Sequence, residues 1–138
     1  MFQFTERKIK VQEYIDLRKS VHWGIPDHKA IENGLENSIY SVCASAGDET
    51  IGIARVIGDG SICFYIQDVI VKPQFQRNSV GSKLMEKVMG FIEINAAKGA
   101  IVGLMASKGY ESFYEKYGFW KRPNEHFGHG MMKFWNID

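Results

Sequence analysis

Residues 68–84 have the sequence DVIVKPQFQRNSVGSKL, in which an apolar strand, a polar loop and the start of a helix follow one another. The first turn of a helix has unpaired N–H groups and carries about half a positive charge, so it attracts anions. Small residues at Ser79 and Gly81 permit close approach of a ligand, while Arg77 and Lys83 add positive charge. The segment therefore predicts a phosphate-binding loop, with an ordinary polar loop as the alternative.

On both sides of this segment, the spacing of apolar residues indicates alternating helices and strands. Helical periodicity covers residues 11–21, 29–37, 80–97 and 111–117, and strand-like runs cover 39–46, 51–57, 62–71, 100–105 and 130–135. Short glycine turns join the first three strands into an antiparallel meander, and a long helix then crosses to the fourth. This order predicts an α/β (α+β) fold in one domain, residues 1–138, with a mixed, mostly antiparallel sheet and helices on both faces.

The composition is that of a globular protein, with 45% hydrophobic and 24% charged residues in 138. A formal charge of +1 argues against nucleic acid or an anionic membrane as a general partner. No apolar stretch approaches the ~20 residues of a membrane helix, and the first residues lack a signal or transit pattern, so a cytoplasmic location is expected. Cys43 and Cys63 lie in apolar runs and are expected to be buried thiols. The four histidines lack metal-ligand spacing, so no metal is expected.

Residues 68–84 also resemble the acetyl-CoA-binding motif of the GNAT superfamily. In that family a strand ending in hydrophobic-x-Val-x-Pro leads into Q/R-x-x-G-x-G/A at a helix start. Gln76 and Gly81 match the outer positions, and Ser79 stands where the first glycine is usual. A second signature follows at residues 113–119, FYEKYGF, which is similar to F-Y-x-x-x-G-F. The resemblance covers residues 39–119 and implies a GNAT-like acyl-CoA N-acyltransferase fold.

The resemblance implies acetyl-CoA as co-substrate and assigns residues to it. The backbone of Val69, Ile70 and Val71 would pair with the pantetheine arm in a V-shaped cleft between two splayed strands. The pyrophosphate would lie on the amides of the loop, which are those of Gln76, Arg77, Asn78, Ser79, Val80, Gly81 and Ser82. Ser107 occupies a position where the family often has a cofactor-contacting asparagine, and Tyr114 would also contact the cofactor.

The implied reaction is direct attack of a primary amine on the thioester carbonyl. Tyr114 matches the tyrosine that protonates the leaving thiolate in many relatives, and the Val69 N–H is the implied oxyanion donor. Asp68 shares a face with Phe64, Ile66 and Ile70 in strict alternation, which is a costly place for a charge. Either its carboxylate is hydrogen-bonded and structural, or a β-bulge turns it toward the cleft, where it would act as general base.

The acceptor amine cannot be named from the sequence, and a small molecule or a peptide would both suit. Relatives wall the acceptor pocket with the regions that here hold Trp23, Arg55, Asn124 and Glu125. A homodimer is an oligomeric state common among relatives. Two other functions stay open: a sensor that binds acyl-CoA with little or no turnover, and an adaptor that acts through edge strands without affinity for CoA.

Overall fold

A five-stranded sheet forms the centre of the fold, and its strands are ordered in space as they are along the chain. The computed structural model describes residues 1–137. Its elements are β1 (Phe2–Glu6), α1 (Val11–Ser20), α2 (His28–Glu36), β2 (Tyr40–Ala46), β3 (Glu49–Gly58), β4 (Cys63–Val71), a 3-10 turn (Pro73–Phe75), α3 (Val80–Asn95), β5 (Ile101–Leu104) and α4 (Glu111–Glu115). Strands β1 to β4 pair antiparallel, each with the next. The predicted mixed, mostly antiparallel sheet is confirmed.

Helices cover both faces of this sheet, as predicted. On one face, α1 and α2 bury Tyr14, Leu17, Ile31 and Leu35 against a cross-strand row from the sheet: Cys43, Ile53 and Ile70. On the other face, Phe91 of α3 stacks on Tyr40, with ring centroids 4.6 Å apart, and meets Phe64 edge-on at 6.3 Å. Burying a Leu or Phe side chain contributes about 1.5–3 kcal/mol, so the two layers hold the sheet between them.

Two features of the sheet differ from the sequence-based expectation. Strand β1 was not predicted, although Phe2 and Phe4 alternate with polar residues and pair with β2. The strand predicted at residues 130–135 is wrong, because the structure assigns no strand there. Met131 and Trp135 are 86% and 82% exposed. Alternation of apolar and polar residues produces a strand only where a neighbouring strand supplies hydrogen bonds and where other elements cover the apolar face.

The two cysteines have different environments. Cys43 is buried in β2, as predicted, and burial raises the pKa of its thiol to about 11. Cys63 is exposed, so the expectation of a second buried thiol is wrong. It is the first residue of β4, beside the glycine turn in which Gly58 and Gly60 have φ of 143° and 77°. Connecting turns run over the protein surface, so a residue beside one is exposed more readily than a residue in the middle of a strand.

The described residues form two compact units, one covering Met1–Val102 and the other beginning at Gly103. The first contains β1 to β4, α1 to α3 and the start of β5. The second contains α4 and a cluster of aromatic rings around it: Phe113, Tyr114, Tyr117 and Phe119. Within residues 1–137, no helix has both the length and the apolar character needed to cross a membrane.

Candidate active site

The loop between β4 and α3 is held in shape by its own side chains. The Gln76 side chain donates to the Val71 carbonyl at 2.9 Å, which ties the loop to the end of β4. The Asn78 side chain donates at 3.3 Å to the carbonyls of Phe75 and Gln76. Both side-chain amides therefore stabilise the loop from inside, and the Gln76 N–H adds a further bond to the Pro73 carbonyl at 3.2 Å.

Two residues of this loop have a left-handed backbone. Arg77 has φ of 67°, and Ser79, the residue before α3, has φ of 62°. Ser79 makes no side-chain cap, and among residues 1–137 the N–H groups of Val80 and Gly81 donate to no backbone carbonyl. Left-handed residues next to a helix start turn successive N–H groups toward one concavity, which is a general anion-binding arrangement. The loop thus suits a phosphate group, and Arg77 adds an exposed cation.

A β-bulge in β4 decides where Asp68 points. Val56 of β3 pairs with Ile66, but its neighbour Arg55 pairs with Asp68, so Gln67 is an extra residue in β4. An extra residue reverses the faces of the side chains that follow it. Asp68 therefore does not share a face with Ile66, contrary to strict alternation, and lies instead on the face covered by α1 and α2. The bulge that the sequence left as one of two alternatives is present.

Asp68 is fully buried, and three side chains donate to its carboxylate. The Tyr14 hydroxyl donates to Oδ2 at 2.9 Å, Arg55 Nε donates to Oδ2 at 2.9 Å, and Arg18 Nη1 donates to Oδ1 at 3.3 Å. Burial and the nearby Asp68 carboxylate raise the pKa of Tyr14, so its phenol keeps its proton. A bulge thus redirects the Asp68 side chain, and hydrogen bonds from three side chains satisfy its carboxylate.

The two arginines are also fixed to the segments that follow α1 and α2. Arg18 Nε donates to the Gly24 carbonyl at 2.6 Å, and its guanidinium lies 5.4 Å from the Trp23 ring centroid. Arg55 Nη1 donates to the Ser38 hydroxyl at 3.1 Å. We call Tyr14, Arg18, Arg55 and Asp68 the arginine–aspartate cluster. It brings together two predicted acceptor-site residues, with Arg55 in the cluster and Trp23 packed against Arg18.

Sequence reasoning missed Tyr14 and Arg18 as candidate site residues. Their spacing of four places them on one face of α1, and that face is the apolar one. An arginine on the buried side of an amphipathic helix is unusual unless it is paired, so it indicates a buried acidic partner. That signal was available in the sequence, but it does not say which acidic residue is the partner.

The second unit contains four of the predicted residues: Ser107, Tyr114, Asn124 and Glu125. Tyr114 packs edge-on against Phe113 and Phe119, with centroids 5.0 and 6.4 Å away, and burial raises the pKa of its phenol to about 12. The Asn124 side chain accepts from the N–H groups of His126 and Phe127, both at 2.9 Å, and so shapes a turn. Glu125 and Ser107 are exposed. No group of His, Cys, Asp and Glu in residues 1–137 is arranged to hold a metal ion.

The sheet with its bulged fourth strand, and the loop of left-handed residues before α3, were compared with those of known protein families. Residues 16–134 match the family model described as an acetyltransferase (GNAT) domain, so the chain belongs to the GNAT acetyltransferase family.

Individual relatives agree with this assignment. A probable acetyltransferase from methicillin-resistant Staphylococcus aureus, SA2161, is 31% identical, with a TM-score of 0.89 over 98% of this chain and 100% of that one. The GNAT family protein SP0256 from Streptococcus pneumoniae is 27% identical, with a TM-score of 0.78 over 99% of this chain and 100% of that one. An uncharacterized N-acetyltransferase ycf52-like protein from Prochlorococcus marinus is 29% identical over 88% of this chain and 69% of its own length.

Proposed function

We propose that this GNAT protein is an N-acetyltransferase that transfers the acetyl group of acetyl-CoA to a primary amine by direct attack. The observation that carries the proposal is the loop before α3, where left-handed Arg77 and Ser79 precede the open N–H groups of Val80 and Gly81. Such a concavity binds the oxygens of a phosphate group without needing a metal. Acetyl-CoA supplies a pyrophosphate for this loop and an activated acetyl thioester for the reaction.

The other residues would bind the remaining parts of the co-substrate. Strand β5 has four residues and β4 has nine, so β5 cannot pair along the whole edge of β4. We assign the backbone of residues 69–71 to the pantetheine arm, with the Val69 N–H as oxyanion donor. Ser107 is assigned a supporting contact to the co-substrate.

Tyr114 is assigned as the acid that assists the leaving thiolate. A phenol whose pKa is raised to about 12 by burial is fully protonated at neutral pH. A thiol has a pKa of about 8.5, so complete proton transfer from this phenol is uphill. The Tyr114 hydroxyl would therefore mainly donate a hydrogen bond to the developing thiolate, and a graded rather than absolute requirement follows.

Of the two roles considered for Asp68, we favour the structural one. Its carboxylate is 0% exposed and already accepts from Tyr14, Arg18 and Arg55. A base must come within hydrogen-bonding distance of the proton that it removes, directly or through one water molecule. We therefore assign proton removal to water, and the acceptor pocket to Trp23, Arg55, Asn124 and Glu125.

This function is tested by incubating the protein with acetyl-CoA and a panel of primary amines and measuring the free thiol that is released. Amine-dependent thiol release is expected, with isothermal titration calorimetry giving a micromolar to sub-millimolar dissociation constant for acetyl-CoA. Binding without amine-dependent release would indicate the sensor function instead. Absence of any acetyl-CoA binding by a folded protein would contradict both and favour the adaptor.

A further inference from the structure

The arginine–aspartate cluster carries more positive than negative charge. Two guanidinium groups face one carboxylate, so the cluster has one uncompensated positive charge if Tyr14 is neutral. Among residues 1–137, no second carboxylate lies within ion-pair distance of Arg18 or Arg55. The two arginine side chains are only 14% and 11% exposed, and a poorly solvated, unbalanced charge is costly.

The arrangement also leaves hydrogen-bond donors unused. Within residues 1–137, Arg18 and Arg55 donate hydrogen bonds only from Nε and Nη1, and neither Nη2 has a protein acceptor. No buried side-chain nitrogen or oxygen in this part of the chain is unsatisfied, so both Nη2 groups reach solvent. The guanidinium carbons lie 5.5 and 5.6 Å from the Tyr14 ring centroid, which holds both groups beside the same phenol.

We propose that Arg18 and Arg55 bind a carboxylate or phosphate group of the acceptor, so that the substrate is an anionic primary amine. This inference rests on the proposed function, because it treats Arg55 and Trp23 as part of the acceptor pocket. Guanidinium N–H groups form charge-assisted hydrogen bonds to carboxylate and phosphate oxygens, and here each arginine would offer its Nη2 group. Asp68 holds the two guanidinium groups side by side, and an anionic ligand would neutralise the remaining charge. Trp23, half-buried against Arg18, would border the amine.

Matched amines test this inference. β-Alanine is compared with β-alaninamide, and phosphoethanolamine with ethanolamine, both by thiol release and by calorimetric titration. Each anionic member is expected to bind better and to have a higher kcat/KM, by about 10- to 100-fold, the range of one or two charge-assisted hydrogen bonds. The first pair tests for recognition of a carboxylate and the second pair for recognition of a phosphate. Equal or weaker binding of both anionic members overturns the inference, whether or not turnover occurs.

Variants separate ligand binding from stability. Arg55→Gln should reduce the preference for the anionic member about tenfold or more, and Arg55→Lys, which keeps the charge, should reduce it less. Arg7→Lys is the control, because Arg7 is paired with Glu13 and not with Asp68. Circular dichroism confirms that each variant is folded. If Arg55→Gln lowers kcat/KM or affinity equally for both members of each pair, Arg55 is only structural and the inference fails. Amine-dependent turnover that shows no preference for anions refutes this inference and leaves the proposed function standing.

Discussion

Replacing Asp68 by Asn tests whether this carboxylate is structural or catalytic. The change removes the only negative charge of the arginine–aspartate cluster in the described residues and leaves two guanidinium groups facing each other. Breaking a buried ion pair costs about 3–5 kcal/mol, and the remaining amide oxygen still accepts a hydrogen bond, so the lower value of about 3 kcal/mol is expected. An unfolding entropy of about 0.3 kcal/mol/K, scaled from chain length, converts this loss to a fall of about 10 °C in Tm.

Urea unfolding and thermal melting measure this loss, with the pH–rate profile recorded on the same preparations. Asp16→Asn is the matched control, because Asp16 is an exposed aspartate of α1 that, within residues 1–137, accepts a side-chain hydrogen bond from Gln12 alone. It should change stability by less than about 0.5 kcal/mol. A nearly unchanged Tm for Asp68→Asn, combined with a turnover about 100-fold lower and loss of the acid limb, would identify a general base and refute the structural assignment.

Four further perturbations address the loop, the acid and the N-terminal ion pair. Gly81→Val should weaken acetyl-CoA binding at least about tenfold by calorimetry, because a bulky side chain blocks approach to the loop, and unchanged affinity would place the phosphate elsewhere. Ser79→Gly should keep or improve that affinity and raise stability in urea by about 0.5–1 kcal/mol, since glycine adopts the observed φ of 62° without strain. Tyr114→Phe should lower kcat about 10- to 1,000-fold with little effect on acetyl-CoA binding, whereas Tyr117→Phe should matter far less, so equal effects would refute the assignment of the acid. Burial opposes ionisation of Glu13, but bonds from Arg7, Thr50 and the Lys10 N–H lower its pKa to about 2. Its stabilisation, about 2 kcal/mol after allowance for solvent screening, is therefore present above pH 4.5 and lost as the pH falls toward 2. Urea unfolding of Glu13→Gln should show a weaker dependence on pH in that interval, and an unchanged dependence would contradict the assignment.

Local sequence patterns were sufficient for most of the secondary structure and for the loop. The helix predicted to start at Val80 does start there, and the glycine turns join the strands as expected. These features depend on neighbouring residues, since helix periodicity, proline and glycine act within a few positions. The loop could be predicted from the sequence for the same reason, because every helix start has unpaired backbone N–H groups that can bind an anion. Its two left-handed residues, neither of them glycine, could not be predicted.

The tertiary structure decided the environment of Asp68. Whether Gln67 forms a bulge depends on its register with β3, and this register reverses the face on which the carboxylate lies. The partners of that carboxylate are 13, 50 and 54 positions away in Arg55, Arg18 and Tyr14, so no local pattern could pair them. The wrong prediction of a strand at residues 130–135 also arose because pairing with a distant strand cannot be read from a local pattern. The sequence by itself determined helices, turns and the loop, whereas packing between distant segments determined which charges meet, because pairing and burial depend on the whole fold.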